Sequence, residues 1–365
     1  MRYIDEFRSP GLLRGQLEMI EEMGSNISIM EVCGTHTMAI SRSGLRPLLA
    51  PRVELVSGPG CPVCVTAADD IARAIAFAGL EGVVLTTFGD MMRVPGPRGT
   101  LSEANSRGAS VRVVYSPLEA LRMAAESAHT RVVFLGVGFE TTAPAVAASL
   151  VQARRKGIDN FFVLSLHKLV PPALRALLEM EGFSIDAFLL PGHVSAVLGS
   201  QAYSFLSEDY GIPSVIAGFE ASDILRSIYV LMRMREEGAA VEIEYSRAVR
   251  PEGNRKAREV MESVFEPVDA EWRGLGTIPA SGLALRDEFR DHDAGAWEVE
   301  LPATARDTGC RCGDILCGRI KPMQCPLFAR SCTPENAVGP CMVSTEGTCA
   351  SYYLYDYREG ERLDG

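Results

Sequence analysis

Short apolar runs alternate with helical patterns from residue 27 to about 235. The runs at 27–32, 53–57, 82–87, 111–115, 131–136, 160–165, 186–190 and 213–217 are mostly continuous rather than alternating. Strands covered on both faces show this pattern, because neither face meets water. Amphipathic stretches follow at 66–80, 117–127, 143–156, 171–181, 194–207 and 221–234. Strand–helix alternation of this kind predicts parallel α/β units. Within residues 1–25, Ile4, Phe7, Leu12, Leu13, Leu17, Ile20 and Met23 fit one helical face, with Pro10-Gly11 as a break. Residues 236–300 are more charged and lack strong runs, so they read as a connecting segment.

The pattern occurs twice, at an offset near 103–108 residues. VCGTHT (32–37) lies against GFETT (138–142), VSGPGCP (56–62) against LSLHKLV (164–170), and TTFGDMMRVPG (86–96) against LLPGHVSAVLG (189–199). The economical reading is two similar parallel-sheet α/β domains, 26–128 and 129–235, facing one another across a cleft. An N-terminal helical segment (1–25) precedes them. A connecting segment with a loop-rich, Cys-rich third domain (236–365) follows. Ligands of parallel sheets bind beyond the carboxyl ends of the strands, where all the marked loops fall.

Composition narrows the classes. The chain of 365 residues carries a net charge of −11, with 47% hydrophobic and 23% charged residues. An acidic balance argues against a general nucleic-acid binder. No apolar run reaches the roughly 18 residues that span a membrane, and the N-terminus lacks an apolar signal core. The expectation is a cytoplasmic protein with neither nucleic acid nor membrane as partner. Ten cysteines in such a compartment point to metal or redox chemistry rather than a disulfide framework.

Three stretches carry candidate chemistry. In the first, Cys33 ends an apolar run and is followed by Gly34, Thr35, His36 and Thr37. A thiol between a strand end and a helix start meets free N–H groups and the positive end of the helix dipole. Both favour the thiolate, the form that attacks or binds metal. A half-buried structural cysteine is the alternative. In the second, Cys61 and Cys64 form a Cys-x-x-Cys that suits a redox dithiol, half of a metal site, or structural thiols. A helix starting near Val65 is expected to depress one thiol pKa. The third is the tail, where Cys310, Cys312, Cys317, Cys325, Cys332, Cys341 and Cys349 are irregularly spaced among Gly and Pro. This suits an iron–sulfur cluster better than a zinc knuckle. Asp90, Glu140, His167 and His193 are further polar groups at strand ends, where turn and cap chemistry is the plainer explanation. Gly136-Val137-Gly138 lacks the full spacing of a nucleotide loop. His129 and His292 read as surface residues.

Taken together, CGTHT (33–37), GPGCPVC (58–64), GFETT (138–142), PGHVS (191–195), WRGLG (272–276) and the CRCG…GPCMVS…EG.C tail resemble one family, the hydrogenase formation protein HypD, over nearly the whole chain. Small departures exist: Ala221 ends a motif that usually reads GFEP, His292-Asp293-Ala294 replaces Phe-Asp-Ala, and Cys317 is surplus. The resemblance implies a scaffold that assembles the Fe(CN)2CO unit of [NiFe] hydrogenases together with a small partner, HypC, while HypE delivers cyanide. It implies that Cys33 holds the mononuclear iron, with Thr35, His36 and Thr37 positioning it. Glu140 and His193 join the candidate site. Cys61 and Cys64 are expected to face Cys33 across the cleft as a dithiol, fed by a tail [4Fe-4S] cluster in a layout similar to ferredoxin:thioredoxin reductase. Cys325, Cys332 and Cys349, with Cys312 or Cys310, are the expected cluster ligands. Cys341 pairs with the remaining Cys-x-Cys thiol. An iron–sulfur-dependent dithiol–disulfide oxidoreductase acting on a protein substrate is the competing reading; a non-catalytic, metal-stabilised interaction protein is the third.

Overall fold

The computed structural model describes residues 9–301 and 308–357. Two parallel sheets carry the α/β fold. The first contains β1 (Ile27–Glu31), β2 (Val53–Ser57), β7 (Ala187–Pro191), β8 (Ser214–Ala217) and β9 (Val241–Ile243), in the order β2-β1-β7-β8-β9. The second contains β3 (Val83–Thr87), β4 (Val111–Val113), β5 (Arg131–Gly136) and β6 (Phe161–Ser165), in the order β4-β3-β5-β6. All these pairs are parallel. The continuous apolar runs are buried on both faces, as in β7, where every residue from Ala187 to Pro191 is buried.

The sequence repeat is visible in these orders, with an exchange between halves. β1 and β2 correspond to β5 and β6, and β3 and β4 correspond to β7 and β8. Each sheet therefore has the same layout, but takes its first two strands from one repeat and the next two from the other. The expected division at 128/129 is corrected by this pairing: it falls between β4 and β5, inside the second sheet, where β3 of one half pairs with β5 of the other. Periodicity reveals each strand but not which sheet it joins, so the exchange was not legible.

Residues 236–300 hold more structure than a connecting segment. β10 (Phe265–Trp272) and β11 (Gly276–Leu285) form an antiparallel hairpin. The Trp272 indole N–H donates to Ser281 Oγ at 2.8 Å inside it, and Leu169 N donates to Ser281 O, tying the hairpin to the end of β6. His292 is buried, and its Nδ1 donates to Phe161 O at 2.8 Å, so the surface expectation for it fails; His129 is exposed. At the N-terminus, Pro10 and Gly11 open the helix Pro10–Glu22 instead of breaking it. Proline is tolerated there because its missing N–H would have had no helical partner. Ile4 and Phe7 lie outside the described residues. No helix among the described residues is long and apolar enough to cross a membrane.

The Cys-rich segment consists of short helical turns and loops. It packs against the helix Gly34–Arg42 and against the short helix Pro62–Val65.

Candidate functional site

In the first sheet the chain leaves β1 toward β2 on one side and β7 toward β8 on the other. The crevice beyond β1 and β7 is thus the switch point at which open parallel sheets bind ligands. The CGTHT loop follows β1, and PGHVS follows β7. Cys33 has extended backbone (φ −153) and caps the helix Gly34–Arg42. Thr37 Oγ1 donates back to Cys33 O at 3.3 Å. The GPGC loop after β2 lies directly against this turn, with Gly34 N donating to Gly60 O at 3.0 Å. A Cβ on Gly60 would stand 2.2 Å from Cys33 N, so only glycine permits the approach. Cys61 and Cys64 therefore belong to the loop beside Cys33, after the adjacent strand of the same sheet, and not to an opposing wall.

Cys33 is buried, and desolvation pushes its thiol up to about 11. Backbone N–H groups of His36 and Thr35 work in the opposite direction, while Glu346 raises it further. The helix start thus does not win at this thiol: burial outweighs it. The same correction applies to the Cys-x-x-Cys. The helix there is Pro62–Val65, capped by Cys61, and Cys64 is raised by burial and by contact with Cys341 and Cys61.

His36 is fully buried. Its Nε2 lies 3.0 Å from Gly218 O, which can only accept, so Nε2 carries the proton and Nδ1 is left as a bare lone pair with no hydrogen-bond partner. Burial lowers its pKa to about 4, so the ring is neutral. Phe219 is sandwiched between His36 (centroids 4.8 Å apart) and the exposed His193 (4.1 Å). Thr35 Oγ1 donates to Glu346 Oε1 at 2.8 Å, and a Cβ on Gly34 would stand 2.5 Å from Glu346 O. The tail thus buttresses the Cys33 turn. Phe219 and Glu346 escaped the sequence reading because their roles exist only through contacts distant in sequence. The available signals were the Gly218-Phe219-Glu220-Ala221 stretch for Phe219 and the EG.C motif for Glu346.

The second sheet has its own switch point, between β3 and β5. Glu140 is fully buried there; its Oε1 accepts from Val170 N at 2.9 Å, and Oε2 has no hydrogen-bond partner. Burial raises its pKa to about 7. His167 donates from Nδ1 to Ser165 Oγ, 3.0 Å away, whose own proton goes to Leu283 O. Lys168 pairs with Asp70 at 3.6 Å. Asp90 is exposed. Tyr203, another residue missed from sequence, is buried between the two sets: burial pushes its phenol up, and both Glu140 and Cys33 add to the shift.

All ten cysteines are free thiols. Cys310, Cys312, Cys325, Cys332, Cys341 and Cys349 line one cavity, with apolar side chains such as Ile315 and Phe328 between them. Cys317 stands apart, its Sγ 3.7 Å from Gly274 O. Cys341 is the junction: its thiol interacts with those of Cys312, Cys349 and Cys64. Among the described residues, no group of three or more His, Cys, Asp or Glu side chains is arranged to hold a metal ion.

Comparison with known proteins bears on this arrangement. A family model for HypD, described as the hydrogenase formation hypA family, matches residues 12–356. The chain is 44% identical to the hydrogenase maturation factor HypD of Escherichia coli over 372 residues, which cover 99% of this chain and 100% of that protein. It is 44% identical to HypD of Rhodobacter capsulatus, covering 97% and 98% of the two chains. A putative hydrogenase expression/formation protein of Methanocaldococcus jannaschii is 43% identical, covering 94% and 97%.

Proposed function

Because the chain belongs to the HypD family of hydrogenase maturation factors, we propose that it is the scaffold on which the Fe(CN)2CO unit is assembled as cargo, in complex with HypC and with cyanide supplied through HypE. Cys33 holds the iron. A soft thiolate suits low-valent iron, and the position of Cys33 at the β1/β7 switch point is where a parallel sheet presents a ligand. His36 and His193 flank the same crevice. The neutral His36 ring offers Nδ1 as an acceptor, and Thr35, held by Glu346, orients the turn. Cytoplasmic assembly is part of the same reading.

The observation that carries the redox half is Cys341. It meets Cys64 of the Cys-x-x-Cys on one side and the cysteine cavity on the other. Six soft donors around an otherwise apolar cavity fit an iron–sulfur cluster, which takes four thiolates. Cys325, Cys332 and Cys349 with Cys312 or Cys310 would hold it, and it would supply single electrons. Cys61 and Cys64 store two electrons as a dithiol beside Cys33. A general protein-disulfide reductase fits less well, since both thiols are buried, at 5% and 0% exposure, where a protein substrate has no access.

The test is Cys341→Ala, with iron–sulfur absorbance and restored hydrogenase activity measured together in a host lacking its own factor. Retained absorbance with maturation lost is expected. Retained absorbance with full maturation would remove Cys341 from the electron path.

A further inference from the structure

The WRGLG turn has no part in the iron chemistry proposed for Cys33, yet its arginine is fixed from several sides. Trp272 is buried, stacked on Phe139 with centroids 6.0 Å apart and bridged to Thr66. Gly274 has φ +83, and a Cβ on it would stand 2.1 Å from Gly313 Cα, so the turn lies back to back with the start of the Cys-rich tail. Arg273, between Trp272 and Gly274, is held to the Cys-x-x-Cys helix and the residue that caps it. Its backbone N donates to Val65 O at 2.9 Å and its Nε to Thr66 O at 2.8 Å. A guanidinium is a rigid planar fork, so fixing Nε fixes the direction of the other N–H groups.

The other side of the fork borders the tail thiols. Arg273 lines an open pocket of about 530 Å³ together with Cys310, Cys312 and Gly339, and those three also line the cysteine cavity. The Arg273 Nη2 is buried and has no hydrogen-bond partner. Among the described residues no carboxylate pairs with Arg273, whereas the neighbouring Arg311 is held by Asp314 at 2.9 Å. A charged donor buried without an acceptor costs stability, so its retention here calls for a negative partner. The thiols are the groups in its reach. Contact with Cys312 and burial push the Cys310 thiol up, and Arg273 works against both. At Cys312, where contacts with Cys310 and Cys341 act first, Arg273 again favours the thiolate.

We propose that Arg273 is a fixed cation beside the iron–sulfur group, and that its unpaired charge raises the reduction potential of that group by favouring the reduced state. The inference rests on the reading of the cysteine cavity as an iron–sulfur site. Uptake of one electron makes the group and its thiolates one charge more negative, and no bond or proton changes hands. A positive charge held close by stabilises that state more than the oxidised one. Val65 and Thr66 set the position of the cation, so the element that carries Cys61 and Cys64 also places the charge that tunes the electron supply.

The experiment is a potentiometric titration with dithionite of the anaerobically purified, full-length protein, followed by the electron paramagnetic resonance of its reduced iron–sulfur group. Wild type is compared with Arg273→Gln, Arg273→Lys and Arg311→Gln. Arg273→Gln should shift the reduction equilibrium toward the oxidised state at least about tenfold, a midpoint about 59 mV more negative for one electron. Arg273→Lys keeps the charge and should restore most of the shift, which a merely structural tie would not do. Arg311→Gln should change the midpoint far less, because Asp314 already offsets that charge. A wild-type midpoint in Arg273→Gln, equal shifts in the Gln and Lys variants, or an equal shift in Arg311→Gln would each overturn the role while leaving the cluster in place. Loss of the group in Arg273→Gln, with retention near the wild-type midpoint in Arg273→Lys, would support the cation; loss in both would make Arg273 a structural tie and overturn it. Wild-type protein reconstituted with iron and sulfide that shows no iron–sulfur absorbance would overturn both this role and the cluster.

Discussion

At Cys33 two effects oppose one another: a helix start that favours the thiolate, and a buried site that favours the thiol. Burial dominates, and the same contest recurs at Glu140 and His36 with different signs. Glu140 is raised to about 7 by desolvation, against an ordinary carboxylate value near 4.5. The folded protein therefore binds this proton more tightly than the unfolded chain. The associated stability is complete below about pH 4.5 and is lost as pH rises toward 7. Glu140→Gln keeps the acceptor for Val170 N and removes the ionisation. Its Tm relative to wild type should rise between about pH 4.5 and pH 7 and level off above that; a difference independent of pH would contradict the buried, unpaired carboxyl. Cys33, Cys61 and Cys64 were legible from sequence because a thiol beside glycine at a strand end is a local signal. Tyr203 and Phe219 were not, because an aromatic in an amphipathic stretch or a turn reads as ordinary core until its neighbours are known.

Among the elements, the strands were the most legible, since continuous burial leaves a continuous apolar run. The hairpin β10–β11 was missed because most of β10 is exposed, from Glu266 to Asp269, and gives neither an apolar run nor an alternation. One ion pair ties several elements into a unit. Arg46, on the helix Leu45–Leu49, reaches Glu31 of β1 at 2.8 Å and Leu55 O of β2 at 3.1 Å. Its guanidinium lies 4.4 Å from the Tyr352 ring centroid and 3.4 Å from Asp356, so it also clasps the end of the tail. Glu31 is fully buried, and desolvation raises its pKa although Arg46 and Ser57 act to lower it. Arg46→Ala leaves that carboxylate without its cation, which should cost about 3–5 kcal/mol in urea unfolding. Adding Glu31→Gln should recover much of the loss. A cost below about 1 kcal/mol would show the pair to be dispensable.

For the whole molecule, the exchange of strands between repeats has a direct consequence. Neither half of the chain contains a complete sheet: β1 needs β7, and β3 needs β5. A fragment of residues 1–128 should therefore be unfolded by circular dichroism and amide exchange, while the full chain unfolds as a unit. A stably folded fragment would contradict the exchanged topology. The repeat itself was legible in the motif offsets; the exchange was not, because both arrangements bury the same residues. The exchange also brings CGTHT from one repeat beside PGHVS from the other, so the candidate iron site is made by both halves. The tail is then placed to reach that site through Glu346 and the dithiol through Cys341.

The central claim is that Cys33 holds iron carrying cyanide and CO. The most direct measurement is an infrared spectrum of the protein purified without oxygen together with HypC, wild type beside Cys33→Ala. Bands of metal-bound CO and cyanide in the wild type that vanish in the variant are the predicted result. Undiminished bands in Cys33→Ala, or none in a maturation-competent wild-type complex with bound iron, would contradict it.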